Sequence, residues 1–164
     1  MRQWQVAGGL VVDPSGALLL VRNRRRDGSH DWSPPGGVIE LHDGESIVDG
    51  LTREVEEETG LRVTAWEGPL WRVEAAAEGL GWRLGVEVHR AAAWEGELTI
   101  GADPDGIVVD ARFVAPAECA VHLDGAHPWV REPLSAWLGG RLEALWRYRL
   151  DGTRAGEATV TRLP

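Results

Sequence analysis

REVEEETGL, residues 53–61, sets four glutamates in five positions just ahead of a Thr-Gly pair. Gly60 reads as a helix stop, and the last turn of a helix carries partial negative charge that favours cations. Glu54, Glu56, Glu57 and Glu58 therefore gather at the end that repels them. At about 100° per residue, Glu54, Glu57 and Glu58 share one side of the helix and Glu56 turns to solvent. Each like-charged pair at this spacing costs about 0.2–0.5 kcal/mol even when exposed, and burial adds to that. Arg53 relieves part of the repulsion by pairing with Glu57 at i, i+4. A divalent cation relieves more, because Mg²⁺ takes oxygen ligands from a few carboxylates and substrate phosphates. Taken alone, the string is also compatible with a plain solvated acidic face.

Upstream, Ser46 followed by Asp49 resembles a capping box with Asp in place of Glu or Gln. Ile47, Val48, Leu51 and Val55 form one apolar stripe, so the spacing predicts a helix from Ser46 to the stop at Gly60. Before it, 3–12 (QWQVAGGLVV) and 17–22 (ALLLVR) flank the turn signal DPSG and read as a hairpin. The arginine-rich RNRRRDGSHD is a polar connection, and WSPPGG stiffens and turns the chain. After the helix come three β-rich runs, at 61–75, 81–94 and 106–116. HPWVREPLSAWL (127–138) is a second helix, with Pro133 as a source of a kink. The tail, LWRYRLDGTRAGEATVTRL, reads as a terminal hairpin around Asp151 and Gly152. The expected class is mixed α/β (α+β), a curved mixed sheet sandwiched between helices.

The 164 residues suffice for one domain with its own core. All 17 basic side chains are arginines, and the net charge of −9 argues against a nucleic-acid polymer as partner. It leaves room for a small anionic substrate whose charge is neutralised locally. Cys119 stands alone, so neither a disulfide within the chain nor a cysteine zinc site is expected, and a cytoplasmic location fits best. The first apolar run is too short and too soon broken for a membrane span or a signal peptide.

From Glu45 the segment reads E-x7-R-E-V-x-E-E-x-G-L. It resembles the Nudix box, G-x5-E-x7-R-E-U-x-E-E-x-G-U, with Glu45, Arg53, Glu54, Val55, Glu57, Glu58, Gly60 and Leu61 in register. Gly37 departs from the pattern, since seven residues rather than five separate it from Glu45. The extra length falls in the loop at Leu41, His42 and Asp43, where insertions are tolerated. The resemblance extends from residue 3 to about 138. The expected division is a Nudix domain over 1–139 and a C-terminal extension over 140–164, packed on the same domain or pairing across a homodimer.

What the resemblance implies is a Mg²⁺-dependent hydrolase, with Mn²⁺ as a substitute, of a nucleoside diphosphate linked to another group. Glu54, Glu57 and Glu58, with the Gly37 carbonyl, would hold metal. Glu45 would support the metal shell, and Arg53 would orient a ligand carboxylate. Glu54 is the expected general base within the box, and Glu97 and Asp105 are the candidates on a later loop. Arg22 and Arg24 are expected to touch substrate, and Arg25 and Arg26 to be solubilising. Trp32, Trp71, Trp82 and Trp94 are candidates for stacking on a base, with Trp32 preferred. His42, in the inserted loop, reads as solvent, and Asp103-Pro-Asp105-Gly as a turn.

Ala77 stands where ADP-ribose hydrolases often carry proline, and the one tyrosine, Tyr148, lies far from where dinucleoside polyphosphate hydrolases carry theirs. Both features favour a nucleoside triphosphate, including oxidised dGTP, cleaved to monophosphate and pyrophosphate. The alternatives are an ADP-ribose or nucleotide-sugar pyrophosphatase and a non-catalytic nucleotide-binding module.

Overall fold

The structure is a computed structural model that describes residues 1–164. Nine strands and three α-helices follow one another along the chain: β1 Arg2–Leu10, β2 Leu18–Arg24, β3 His30–Ser33, β4 Gly36–Val38, α1 Ile47–Thr59, β5 Arg62–Ala77, β6 Trp82–Glu95, β7 Val108–Val114, α2 Pro116–His122, α3 Pro128–Leu138, β8 Leu145–Asp151 and β9 Thr159–Leu163. The mixed α+β class is as expected, but the strands divide into two sheets. One has six strands in the order β4-β1-β6-β5-β8-β9, and the other three, β3-β2-β7. The larger sheet is mixed, with β1 parallel to β6 and β5 parallel to β8.

The expected hairpin of the first two runs does not form as a paired ladder. The DPSG turn is there, with Asp13 Oδ1 accepting from the Ser15 and Ala17 N–H groups. However, β1 enters the six-stranded sheet and β2 the other, joined only by the Val12–Leu18 bridge. The physical reason is burial on both faces. Leu18 and Leu20 pack into one apolar cluster, and Leu19 and Val21 into the second. An unbroken apolar run of this kind belongs between two layers and not in a half-solvated hairpin.

Helix α1 starts where Ser46 Oγ accepts the Asp49 N–H at 3.1 Å. It ends where Gly60 adopts φ 78°, a left-handed conformation that glycine takes without strain. Leu51 and Val55 are fully buried in the second cluster, each contributing on the order of 1.5–3 kcal/mol of hydrophobic stabilisation. Val48, expected in the same stripe, is instead exposed. Helix α2 has no counterpart among the sequence expectations. Pro133 lies buried inside α3 without ending it.

The tail forms strands β8 and β9, joined by a seven-residue connection (152–158) rather than a tight turn at Asp151 and Gly152. β8 lies parallel to β5. Its Tyr148 is 2% exposed, and its hydroxyl donates to Glu132 Oε1 at 3.0 Å, with the Pro128 carbonyl a longer acceptor at 3.4 Å. Both acceptors belong to α3, so β8 fixes that helix to the sheet. Tyr148→Phe is expected to lower unfolding stability by about 1–2 kcal/mol, the scale of a hydrogen bond to a charged acceptor. Urea unfolding checks this, and an unchanged midpoint would show that the bond contributes nothing.

Candidate active site

A cleft of about 920 Å³ runs from the C-terminal half of α1 across one face of the large sheet to α3. Its acidic end is built around Arg53. The Arg53 Nε donates to Glu45 Oε1 at 2.7 Å, and Nη1 donates to Glu54 Oε1 at 3.0 Å and Glu57 Oε2 at 3.2 Å. Nη2 reaches Glu45 Oε2 at 3.2 Å. The expected i, i+4 pair is therefore one arm of a guanidinium that holds three carboxylates. Glu45 Oε2 also accepts the Glu40 N–H at 3.0 Å, which ties the start of the inserted loop to the cluster.

The inserted loop closes as one 3₁₀ turn, Leu41–Asp43, ended by Gly44 at φ 83°. The insertion therefore leaves the helix register intact. Gly37 still packs against the cluster: a Cβ there would lie 2.7 Å from the Glu54 carboxyl carbon. Only glycine lets Glu54 come this close to β4.

Glu58 is 6% exposed, and its Oε1 accepts the Gly36 N–H at 3.3 Å. Burial foremost, and then the Glu54 charge, pushes its pKa up to about 9. Burial likewise pushes Glu54 up to about 7, against the pull of Arg53. Glu45 is lowered from its ordinary value by the hydrogen bonds from Arg53. Glu56 is exposed, as its angular position implies. The donor set is hard oxygen, desolvated and short of positive charge, so Glu54, Glu57 and Glu58 suit a divalent metal ion. Glu40, His42 and Asp43, all exposed, bring ligand atoms within 4.8 Å of one another, a closeness that Glu54, Glu57 and Glu58 do not reach in the metal-free protein.

Eight carboxylates line the cleft: Glu40, Asp43, Glu45, Glu54, Glu57, Glu58, Asp103 and Asp105. The arginines facing them are Arg53 and Arg25, and Arg25 is bound to Asp31 through Nε at 2.7 Å and Nη2 at 2.8 Å. Asp103 organises its turn by accepting the N–H groups of Asp105, Ile107 and Val108, which sets Asp105 at the cleft. Glu97 is exposed and lies outside the lining, where its carbonyl packs beside Gly60.

The far end is apolar, walled by Trp71, Val73, Val86, Val88, Val130 and Leu134, with Trp129 and His127 stacked at 4.2 Å. Of the tryptophans singled out from sequence, only Trp71 lines the cleft. Trp32 instead meets His122 edge-on at 5.1 Å, and Trp94 stacks on Phe113. Arg22 and Arg24 do not line the cleft either; both are exposed on β2, alternating with buried Asn23. Asn23, Ser33, His127 and Trp129 line the cleft without having been singled out from sequence, and Arg25, expected to be only solubilising, lines it as well. Strand alternation separates Asn23 from Arg22 and Arg24, and was the available signal for it.

A family model for the NUDIX domain matches residues 2–138. The chain belongs to the Nudix family, a class of pyrophosphohydrolases that act with divalent metals. Solved structures share its fold. The MutT protein from Bacillus halodurans is 24% identical over 97% of both chains, with a TM-score of 0.67. The MutT NUDIX hydrolase from Burkholderia pseudomallei is 22% identical over 71% of this chain and 86% of its own, with a TM-score of 0.60. The E. coli ORF135 protein is 19% identical over 86% and 94%, with a TM-score of 0.67. No curated protein matches the sequence. No helix is long and apolar enough to cross a membrane.

The raised pKa values of Glu54 and Glu58 carry a stability consequence. In metal-free protein the folded state holds protons that the unfolded state, near the ordinary value of 4.5, has released. Their contribution is complete below about pH 4.5 and is lost as pH rises through 7 and 9. Metal-free protein is expected to melt at progressively lower temperature between pH 5 and 9. Glu58→Gln should remove much of that slope and raise stability at pH 8 by about 1–2 kcal/mol. Calorimetry in chelator across this range is the check, and parallel curves for the two proteins would contradict the expectation.

Proposed function

We propose that this chain is a Mg²⁺-dependent pyrophosphohydrolase, with Mn²⁺ as a substitute, acting on a nucleoside diphosphate linked to another group. A nucleoside triphosphate, including oxidised dGTP, is the favoured substrate, cleaved to monophosphate and pyrophosphate. The observation that carries this reading is the division of the cleft. Eight carboxylates line it against two arginines that are already paired, Arg53 among the carboxylates and Arg25 on Asp31, and its far end is an apolar wall. A polyphosphate cannot approach such an acidic end unless cations accompany it, whereas a base suits the apolar end.

In this reading Glu54, Glu57 and Glu58 hold the metal, beside Gly37. When bound, the ion polarises phosphoryl oxygens and lowers the pKa of a coordinated water. Arg53 keeps Glu54 and Glu57 oriented, and Glu45, held by both Arg53 and the Glu40 N–H, anchors that guanidinium. A carboxylate oxygen of Glu54 takes the proton of the attacking water. Asp105, which reaches the cleft, is the loop alternative for that step, and Glu97 drops behind it. The expected substrate contacts at Arg22, Arg24 and Trp32 give way to Asn23, Trp71 and the His127–Trp129 stack, all of which line the cleft.

Glu57→Gln is expected to lower kcat by at least about a hundredfold at saturating Mg²⁺ while the circular dichroism spectrum stays unchanged, because it removes a charged metal ligand. Near-wild-type hydrolysis in that variant would sink the metal cradle. Asp105→Asn should slow turnover by about tenfold or more if it shares the proton transfer, and Glu97→Gln should not. A panel of nucleotides, read for pyrophosphate, phosphate and monophosphate, tests the substrate; ADP-ribose as the best member would redirect the reading to nucleotide sugars.

A further inference from the structure

One polar side chain in the cleft is more than nine-tenths buried and still keeps an open hydrogen-bond position. Asn23 retains 7% exposure and lines the cleft. Its Nδ2 donates to Asp31 Oδ1 at 3.0 Å and to Ser33 Oγ at 2.9 Å, which uses both amide hydrogens. The amide cannot turn over without loss. Asp31 is acceptor-only as a carboxylate, and Arg25 clamps both of its oxygens, so a reversed amide would set oxygen against oxygen.

Oδ1 of Asn23 receives no hydrogen bond from the protein, yet no fully buried side-chain polar atom lacks a partner. Oδ1 therefore keeps open surface, and the space beside the side chain is the cleft. The ladder between β2 and β7 shifts register between Arg22 and Asn23. Irregularities of this kind re-aim side chains beside functional sites. Of the other polar groups at this wall, Arg25 is spent on Asp31, Ser33 Oγ accepts from Asn23 and His127 stacks on Trp129.

We propose that Asn23 is a specificity-determining residue: its Oδ1 accepts an N–H from the substrate's base. The cleft then favours a base that presents a donor there over a matched base that presents a carbonyl or bare ring nitrogen. Two acceptors facing each other in a desolvated site leave both unpaired, which disfavours a ligand more than a lost contact does. The inference rests on the nucleotide reading given under Proposed function.

The test compares kcat/KM for base pairs that exchange donor for acceptor: ATP against ITP, CTP against UTP, and 8-oxo-dGTP against dGTP. The wild type is expected to favour the donor member of at least one pair by about tenfold or more. In Asn23→Leu that ratio should fall within about threefold. Asp31→Asn offers Asn23 a partner that both donates and accepts, so the Asn23 amide is free to turn. The ratio should shrink or reverse there although Asn23 is untouched, a response that a purely structural role would not give. This second variant decides the matter if the leucine variant does not fold. A ratio preserved in Asn23→Leu or in Asp31→Asn overturns the proposal. A wild type that hydrolyses all six nucleotides within threefold of one another overturns it too, and leaves the pyrophosphohydrolase reading standing. A wild type that hydrolyses none overturns both.

Discussion

The ion-pair hub at Arg53 is the interaction on which the site end of the molecule depends. One guanidinium holds Glu45, Glu54 and Glu57, and those contacts join the loop before α1, the middle of the helix and its last turn. The surroundings must be small for the hub to close. A Cβ on Gly37 would strike the Glu54 carboxylate, and one on Gly50 would lie 2.9 Å from the Glu45 carboxyl carbon. A side chain at either position, once on β4 and once on the helix itself, would push a carboxylate out of this arrangement. Glu58 lies beyond the reach of that guanidinium and has only the Gly36 N–H, so the fold carries one buried carboxylate without a cation.

That deficit gives the cleft its character. A group that destabilises the metal-free protein near neutral pH is kept where a divalent ion would relieve it, the exchange of stability for function expected at active sites. The opposite wall depends on parts of the chain far from the helix. Trp129, Val130 and Leu134 come from α3, and α3 is held through Glu132 and Pro128 by Tyr148. Tyr148 belongs to β8, beyond the stretch that the family model matches. The C-terminal strands thus support the apolar end of a cleft whose acidic end is set by α1.

Much of this was legible in the residues because it is local. The cap at Ser46, the stop at Gly60, the outward turn of Glu56 and the shared side of Glu54, Glu57 and Glu58 follow from the 3.6-residue period and the backbone freedom of glycine. The extra residues before Glu45 could also be assigned to a loop, and they form a single 3₁₀ turn. Other expectations failed where local reading has no purchase. The first two apolar runs look like a hairpin, yet β2 is buried on both faces and joins another sheet. Arg22 and Arg24 have the right chemistry for phosphate, but strand alternation turns them away and brings Asn23 in. Trp32 packs on His122 and Arg112 instead of facing the cleft.

The sequence by itself determined the helix, its ends, the side on which Glu54, Glu57 and Glu58 meet, and through them the family. Those features depend on spacing within one element, which a linear chain states directly. Only the tertiary structure decided that Arg53 holds three carboxylates rather than one, that Asp105 and not Glu97 faces the cleft, and that Asn23 presents an oxygen there. Each of these depends on groups brought together from separate strands and loops. Hydrogen-bond saturation and burial act on distances in space, and spacing along the chain does not encode them.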